Sequence, residues 1–116
     1  MRFQKKEIER IVKIFKEDIP YSFELKGFTF TLKYNDYNDG FYILCKTKEG
    51  EILGAGDERL VLDFPVFWQF CEDYEGNRDS KYPSFNLVPR SIDMKDYEVN
   101  WENLNEFVFL AYEEVE

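Results

Sequence analysis

Oxygen-bearing side chains at a predicted chain reversal are the first residues whose types could bind a ligand. Asp36, Asn38 and Asp39 lie close together, as do the first ligands of a calcium-binding loop. An EF-hand loop beginning at Asp36 needs glycine at its sixth position and glutamate at its twelfth. Phe41 and Thr47 occupy those positions, so the segment is interpreted as a hairpin turn rather than a cation site.

A second segment superficially resembles a phosphate-binding loop because it holds two glycines, Gly54 and Gly56. It lacks the Gly-Lys-Ser/Thr ending that such a loop needs to hold phosphate groups. Asp57 and Glu58 follow directly and would repel an anion. We therefore predict a bulge or bend where two stretches of backbone approach closely.

Residues suited to catalysis are scarce. The chain contains no histidine, which removes Ser–His and Cys–His nucleophile pairs, imidazole acid–base chemistry and most zinc sites. Carboxylate pairs such as Glu72 and Asp73 are expected in any acidic chain. Nothing in the sequence places two carboxylates on opposite sides of a cleft, as glycoside hydrolysis requires. Arg59, Arg78 and Arg90 are scattered, with salt bridges as their default role and interface anchoring as the second. We expect no enzymatic activity, no cofactor and no metal.

Composition favours assembly over catalysis. With 24 acidic and 15 basic residues the net charge is −9, which argues against nucleic-acid binding and is compatible with a basic protein partner. The chain also holds 12 Phe, 8 Tyr and 2 Trp, so either the core is rich in Phe or some rings form a permanent protein–protein contact. The candidate interface residues are Phe64, Phe67, Trp68, Trp101, Phe107 and Phe109.

The sequence gives no sign of export or of a membrane partner. The N-terminal segment is charged and lacks the apolar region of a signal peptide, and no apolar run approaches the ~18 residues that a membrane span needs. Cys45, in a predicted strand, is interpreted as a buried thiol outside any disulfide, so we expect synthesis in a reducing cytoplasm. The length of 116 residues fits a single β-rich domain, residues 1–116, with residues 1–10 as an N-terminal extension.

Residues 28–53 are predicted to organise the fold as an antiparallel meander of three strands. In residues 28–34 the side chains alternate: Phe, Phe, Leu and Tyr point to one face and Thr, Thr and Lys to the other, as along a strand with one buried face. Residues 35–40 are rich in Asn, Asp and Gly, which tolerate the positive φ angles of a tight reversal. Residues 41–45 have no polar face, and a reversal at 48–50 leads to a third strand at 52–53. This middle strand is expected to be covered on both sides.

Further elements are predicted around the meander, which makes the fold class mainly β. Residues 3–16 fit both a helical stripe and a strand, and we favour a strand after about residue 9 that ends before Pro20. The other predicted elements are strands at 21–25 and 59–62, a helical turn near Pro65, an extended edge segment at 82–89, a helical turn at 100–104 capped by Asn100, and a strand at 106–112. The expected architecture is a small antiparallel β-barrel or β-sandwich with one or two short helical turns.

Several segments, taken in order, carry a family resemblance over roughly residues 11–112. They are IPYSFE (19–24), FTFTLKYN (28–35), FYI (41–43) with KEG (48–50), RLV (59–61) with PVF (65–67), YP (82–83), LVP (87–89), and WENL (101–104) with FVFL (107–110). Together they resemble the small baseplate plug proteins of contractile-tailed bacteriophages and phage-tail-like particles, in the form found in phages of Gram-positive hosts. The chain departs from the family at residues 63–64, where Gly-Arg is expected, and at 68–78, which have no counterpart.

The resemblance implies a non-enzymatic virion component of the tail baseplate, synthesised in the bacterial cytoplasm. It implies contacts with hub, tube or spike proteins near the tail axis, several copies in a symmetric assembly, and no nucleic-acid or membrane partner. Such a setting suits the sequence, because an open sheet edge and bare aromatic faces are aggregation hazards that burial in an assembly removes.

Two other functions stay open at this point. A small acidic inhibitor, either an immunity protein or a DNA-mimicking phage protein, predicts carboxylates clustered on one face at phosphate-like spacing. A ligand-binding β-barrel predicts a deep apolar pocket.

Overall fold

The computed structural model describes residues 11–54, 56–66, 83 and 85–114. Within these residues the chain forms seven strands and one short turn of 3₁₀ helix. The strands are β1 (Ile11–Val12), β2 (Tyr21–Leu25), β3 (Phe28–Asn35), β4 (Gly40–Lys46), β5 (Glu58–Arg59), β6 (Phe85–Ser91) and β7 (Val108–Glu114), and the 3₁₀ helix is Lys16–Asp18. In this part of the chain no helix has the length and apolar character needed to cross a membrane.

The strands form two antiparallel sheets. The meander sheet has the order β2-β3-β4-β5, and the terminal sheet has the order β1-β7-β6. The prediction of a mainly antiparallel β fold is confirmed. Among the described residues no strand pair joins the two sheets, so the architecture fits a sandwich and no closed barrel is formed there.

The hairpin of β2 and β3 has the predicted bounds to within one residue. Its strands pair from Tyr21↔Leu32 to Leu25↔Phe28, and the two residues between them form the turn. Lys26 has φ 50° and Gly27 has φ 90°, and two consecutive positive φ values are what a two-residue hairpin turn of type I′ requires. Local turn chemistry therefore sets the register of this hairpin.

The predicted turn between β3 and β4 is confirmed, and one of its Asp residues takes the positive φ. Its positive φ lies at Asp39 (51°), whereas Gly40 is not in the left-handed region. A Cβ at Gly40 would lie 3.0 Å from Asn38 Oδ1 and 3.2 Å from Arg59 Nε. An added Cβ would therefore require the Asn38 and Arg59 side chains to move by a few tenths of an ångström.

The third strand of the meander was predicted at residues 52–53, and this prediction is wrong. Ile52 makes only an isolated bridge with Lys46, and β4 pairs instead with β5. The chain leaves the sheet after Leu53, whose N–H donates to the Cys45 carbonyl at 2.9 Å, because Gly54 then turns with φ 65°. The bend predicted here is present. At Gly56, however, its cause is a φ of 100° and not a close backbone approach, since a Cβ there would meet nothing within 4 Å.

Three other predicted boundaries differ from the structure. The strand expected after residue 9 is described only at Ile11–Val12, because the chain turns into the 3₁₀ helix at Lys16. The last strand begins at residue 108 and not at 106, because the turn containing Asn105 (φ 75°) extends to residue 107. The strand predicted at 59–62 ends at Arg59, and residues 61–64 form a turn in which the Phe64 N–H donates to the Val61 carbonyl at 3.1 Å. Most of the segment that follows Pro65, where a helical turn was predicted, lies outside the described residues. The predicted turn at 100–104 is confirmed, with Asn103 N–H donating to Asn100 Oδ1 at 2.9 Å.

One hydrophobic core lies between the two sheets and accounts for many of the aromatic residues. The meander sheet contributes Phe30, Leu32, Phe41, Ile43 and Cys45, the terminal sheet contributes Phe85, Leu87, Val108 and Leu110, and the connection between β6 and β7 contributes Val99 and Leu104. Phe23 stacks on Phe30 with ring centroids 5.3 Å apart. Cys45 is a fully buried thiol, as predicted. Burying a Leu, Ile, Val or Phe side chain in such a core stabilises the fold by roughly 1.5–3 kcal/mol.

The middle strand β4 is covered completely on one face only. Phe41, Ile43 and Cys45 are fully buried against the core, whereas Tyr42 and Leu44 on the opposite face are half-buried. Among the residues that the structure describes, the expectation that both faces are covered is therefore not met.

An ion pair covers the outer face of the terminal sheet. Arg90 donates from Nε and Nη2 to Glu113 at 2.9 and 2.8 Å, and from Nη1 to Asp63 at 3.0 Å. Arg90 lies opposite Phe109 in the register and Glu113 lies four residues further along β7, so the pair spans Val88 and Ala111, which are fully buried. Arg90 is thus a salt-bridge residue, as the sequence predicted. These hydrogen bonds also raise the pKa of Arg90 above its usual value, with Glu113 the larger cause.

Candidate interaction surface

Four of the six predicted interface residues are described, and all four have exposed or half-buried side chains. Phe64 is 64% exposed, Phe107 41% and Trp101 39%. Phe109 is half-buried on the outer face of β7. Phe67 and Trp68 lie outside the described residues, so the prediction that they belong to an interface is not tested by the structure.

Trp101 belongs to an aromatic cluster at the end of the sandwich that carries the β3–β4 turn. Its ring centroid lies 4.9 Å from that of Tyr34 and 6.1 Å from that of Phe41, with the Phe41 ring stacked at an interplanar angle of 13°. Lys16 Nζ lies 5.3 Å from the Trp101 ring and donates a hydrogen bond to its carbonyl oxygen at 2.7 Å. A cation over an indole face is attracted by the ring quadrupole. We call Lys16, Tyr34, Phe41 and Trp101 the Trp101 cluster.

The carboxylate of Asp39 holds this cluster in place. Its Oδ1 accepts the Tyr34 hydroxyl at 2.7 Å and the Trp101 backbone N–H at 3.1 Å. These two hydrogen bonds, the phenol first, lower the pKa of Asp39. The same bond to Asp39 is the main cause that raises the pKa of Tyr34 to about 12. At neutral pH the carboxylate is therefore charged and the phenol neutral, which is the state that forms both bonds.

A groove runs beside the Trp101 cluster. It has a volume of about 520 Å³ and is lined by Lys16, Glu17, Ile19, Pro20, Lys33, Tyr34 and Trp101. Rings and aliphatic side chains form much of its surface, and two lysines lie at a site of an otherwise acidic protein. Lys33 also makes an ion pair with Asp57 at 3.2 Å. Such a surface can bind by ring stacking and hydrogen bonding.

A second exposed apolar group lies at the start and end of the connection between β6 and β7. Ile92 is 40% exposed and Met94 53% exposed, and Ile92 N–H donates to the Phe107 carbonyl at 2.9 Å. The Tyr97 ring stacks on the Phe107 ring at 4.9 Å, and the Tyr97 hydroxyl donates to Asp93 at 2.5 Å. We call Ile92, Met94, Tyr97 and Phe107 the Phe107 patch. Ile92 and Met94 were not among the predicted interface residues, because each is an isolated apolar residue in a polar segment.

Phe64 is exposed at a fixed position beside the edge of β6. The preceding residue, Asp63, donates its N–H to the Pro89 carbonyl at 2.8 Å and accepts Arg90 Nη1. Val61, whose carbonyl accepts the Phe64 N–H, is itself 45% exposed. Phe64 and Val61 thus present apolar surface from a turn that backbone and ion-pair contacts hold against the terminal sheet.

Phe109 lines a different groove, which lies along β1. This groove has a volume of about 640 Å³, and its apolar lining residues are Ile11, Val12, Ile14, Phe15 and Phe109. Phe15 is 52% exposed.

In the part of the chain that the structure describes, no three His, Cys, Asp or Glu residues are grouped as a metal site requires.

Comparison with known proteins gives the family of the chain. A family model described as "Cyanophage baseplate Pam3 plug gp18" matches residues 10–115. Searches among curated proteins and among solved structures found no significant match. The family match covers nearly all of the 116 residues. The chain therefore belongs to the baseplate plug family typified by cyanophage Pam3 gp18.

Proposed function

We propose that this protein is a non-enzymatic structural component of a phage tail baseplate, where several copies pack near the tail axis against hub, tube or spike proteins. Membership of the baseplate plug family supports the baseplate location. The contractile tail and the Gram-positive-host form of the family are further predictions, supported by the ordered motifs from residue 19 to residue 110.

The observation that carries the proposal is that exposed rings are held in fixed positions. Trp101 is fixed by Asp39 and Lys16, and Phe107 is stacked on Tyr97. A ring that is already fixed loses little conformational entropy when a partner covers it. Aromatic residues at defined positions are the usual energetic centres of protein–protein interfaces.

Charge indicates the kind of partner surface. The chain carries a net charge of −9, so adjacent copies repel one another unless basic surfaces of other proteins lie between or around them. We therefore expect the partner surfaces to be basic at their rims and apolar where they cover the exposed rings.

Composition of purified particles tests the proposal. Particles from a strain that produces them are purified on a density gradient and analysed by mass spectrometry, and a strain with the coding sequence inactivated is analysed in parallel. We expect the chain in intact particles and defective or missing baseplates in the inactivated strain, restored by the wild-type gene. Intact particles that lack the chain would overturn the proposal. If the protein is instead an acidic inhibitor, it should be found in the producing cells and be absent from the particles.

A further inference from the structure

The outer edge of β2 is open in the part of the chain that the structure describes. β2 is the first strand of the meander sheet, and its five residues pair with β3 on one side without interruption. In a hairpin with a two-residue turn, the pair next to the turn is hydrogen-bonded and the pairs then alternate. Leu25, Phe23 and Tyr21 are therefore bonded to β3. The N–H and C=O groups of Ser22 and Glu24 point to the open edge.

This edge carries little of the usual protection against pairing: Glu24 is the only charged residue within Tyr21–Leu25, and Pro20 and Lys26 lie just outside the strand. Proteins protect exposed edges with lysine, proline, a bulge or a very short strand. The residues Tyr21–Leu25 include no lysine or proline, and the register shows no bulge. The other described edges differ, because β1 and β5 have two residues each. The edge of β6 is covered by the backbone N–H groups of Asp63 and Val66, which bond to Pro89 and Leu87 at 2.8 Å each.

The side chains of β2 show what a strand added to this edge must offer. Tyr21, Phe23 and Leu25 pack against the core but stay half-buried, so apolar residues beside them would complete their burial. On the opposite face, Ser22 and Glu24 are exposed. Within the described residues Glu24 makes no ion pair, so a basic side chain beside it would supply the missing partner.

We propose that an extended segment of a partner protein binds along β2 as a fifth strand of the meander sheet. It alternates apolar residues, placed beside Tyr21, Phe23 and Leu25, with lysine or arginine beside Glu24. Strand addition of this kind takes affinity from main-chain hydrogen bonds and specificity from alternate side chains. The inference rests on the proposed function only in placing that partner within the baseplate.

A basic partner strand fits this edge better than a second copy of the chain. Two copies of β2 paired about Phe23 would place their Glu24 carboxylates diagonally across the pair on one face, and like charges there are unfavourable. Each copy also carries a net charge of −9. A lysine-bearing strand reverses both effects.

The test uses a synthetic peptide, acetyl-Lys-Val-Lys-Val-Lys-Val-Lys-amide, and the ¹⁵N-labelled full chain. The control peptide has the same composition in the order Val-Val-Lys-Lys-Val-Lys-Lys. With the alternating peptide we expect slower amide hydrogen exchange at Ser22 and Glu24, and little change at Phe23, whose N–H already bonds to β3. Glu24→Lys should weaken binding roughly fivefold, whereas the same change at exposed Glu106 should not.

Three results with the peptides would overturn the inference. They are equal effects of the two peptides, slower amide exchange centred away from β2, and a Glu24→Lys variant that binds like the wild type. A dimer in sedimentation that Glu24→Lys changes would assign the edge to a second copy and would also overturn it. Because particle composition is measured separately, any of these outcomes leaves the baseplate proposal intact.

Discussion

Asp39 and Trp101 are 62 residues apart in the sequence, and a hydrogen bond of 3.1 Å from the Trp101 backbone N–H to Asp39 Oδ1 joins them. The bond connects the β3–β4 turn of the meander sheet to the long connection between the two main strands of the terminal sheet. The same oxygen accepts the Tyr34 hydroxyl. One carboxylate therefore fixes both the backbone and one ring neighbour of an exposed tryptophan.

Removing this carboxylate should release Trp101 while the hairpin stays intact. Asp39→Gly is the suitable change, because glycine keeps the positive φ of 51° without strain. We expect the Trp101 backbone amide to exchange its hydrogen severalfold faster, since its acceptor is gone. Asp36→Gly, in the same turn, is the control and should leave that exchange rate unchanged. An unchanged Trp101 amide in Asp39→Gly would contradict the role assigned to Asp39.

The Tyr34–Asp39 bond should contribute to stability only within a limited pH range. The pKa of Asp39 is lower in the folded chain, so its contribution is present above the unfolded pKa of about 3.9 and is lost as the pH falls through the folded value. The pKa of Tyr34 is raised to about 12, so its contribution is present below about 10 and is lost as the pH rises through 12.

Urea unfolding of the wild type and of Tyr34→Phe across the pH range measures this contribution. The difference between the two unfolding free energies should be constant from about pH 5 to 9 and should shrink at both extremes. Difference absorbance at 295 nm should show one tyrosine that titrates near 12 in the wild type and is absent from Tyr34→Phe. Tyr37→Phe serves as the control, because the Tyr37 side chain is 98% exposed and its hydroxyl is not bonded to a carboxylate among the described residues. A difference in unfolding free energy that does not vary with pH would contradict the pKa shifts assigned to the Tyr34–Asp39 bond.

Breaking the Arg90 ion pair should destabilise the terminal sheet. The Arg90 side chain is only 11% exposed and makes two hydrogen bonds to Glu113. Arg90→Ala would remove the cation that bonds the Glu113 and Asp63 carboxylates. We expect a loss of about 2–4 kcal/mol in the free energy of unfolding. Lys46→Ala, at an exposed lysine of β4, should change it by no more than about 0.5 kcal/mol. Chemical denaturation of both variants decides the matter, and equal losses would contradict this account.

The sequence predicted those parts of the fold that local chemistry determines. β2, β3 and their turn were correct to within one residue, because alternation and the Lys26-Gly27 pair act within a few residues. The third meander strand was wrong because burial of Leu53 and the turn at Gly54 take the chain out of the sheet. That outcome depends on contacts made by the folded chain, which a local pattern does not contain.

The candidate surface was predictable only in part for the same reason. An excess of rings drew attention to Phe64, Trp101 and Phe107, which are exposed. The part played by Asp39 could not be read from its neighbours, since its acceptor role depends on a residue 62 positions away. Phe23 and Tyr21 also could not be singled out, because their half-burial follows from the place of β2 at the sheet edge.

Substitution of Phe64 should separate assembly from folding. Its side chain is 64% exposed, so Phe64→Ser should change the free energy of unfolding by no more than about 0.5 kcal/mol. If a baseplate neighbour covers this ring, truncating it should weaken binding, by more than about 1 kcal/mol where the ring is one of the few residues that dominate the interface. Incorporation into particles should then fall, which quantitative mass spectrometry of purified particles measures.

The matched control for this substitution is Tyr37→Ser. Tyr37 is 98% exposed at the tip of the β3–β4 turn, and it belongs to none of the predicted interface residues. It should leave both stability and incorporation unchanged. Equal losses of incorporation in the two variants would indicate a general effect of removing surface rings. Wild-type incorporation of Phe64→Ser would show that no neighbour covers Phe64 and would remove that residue from the proposed interface.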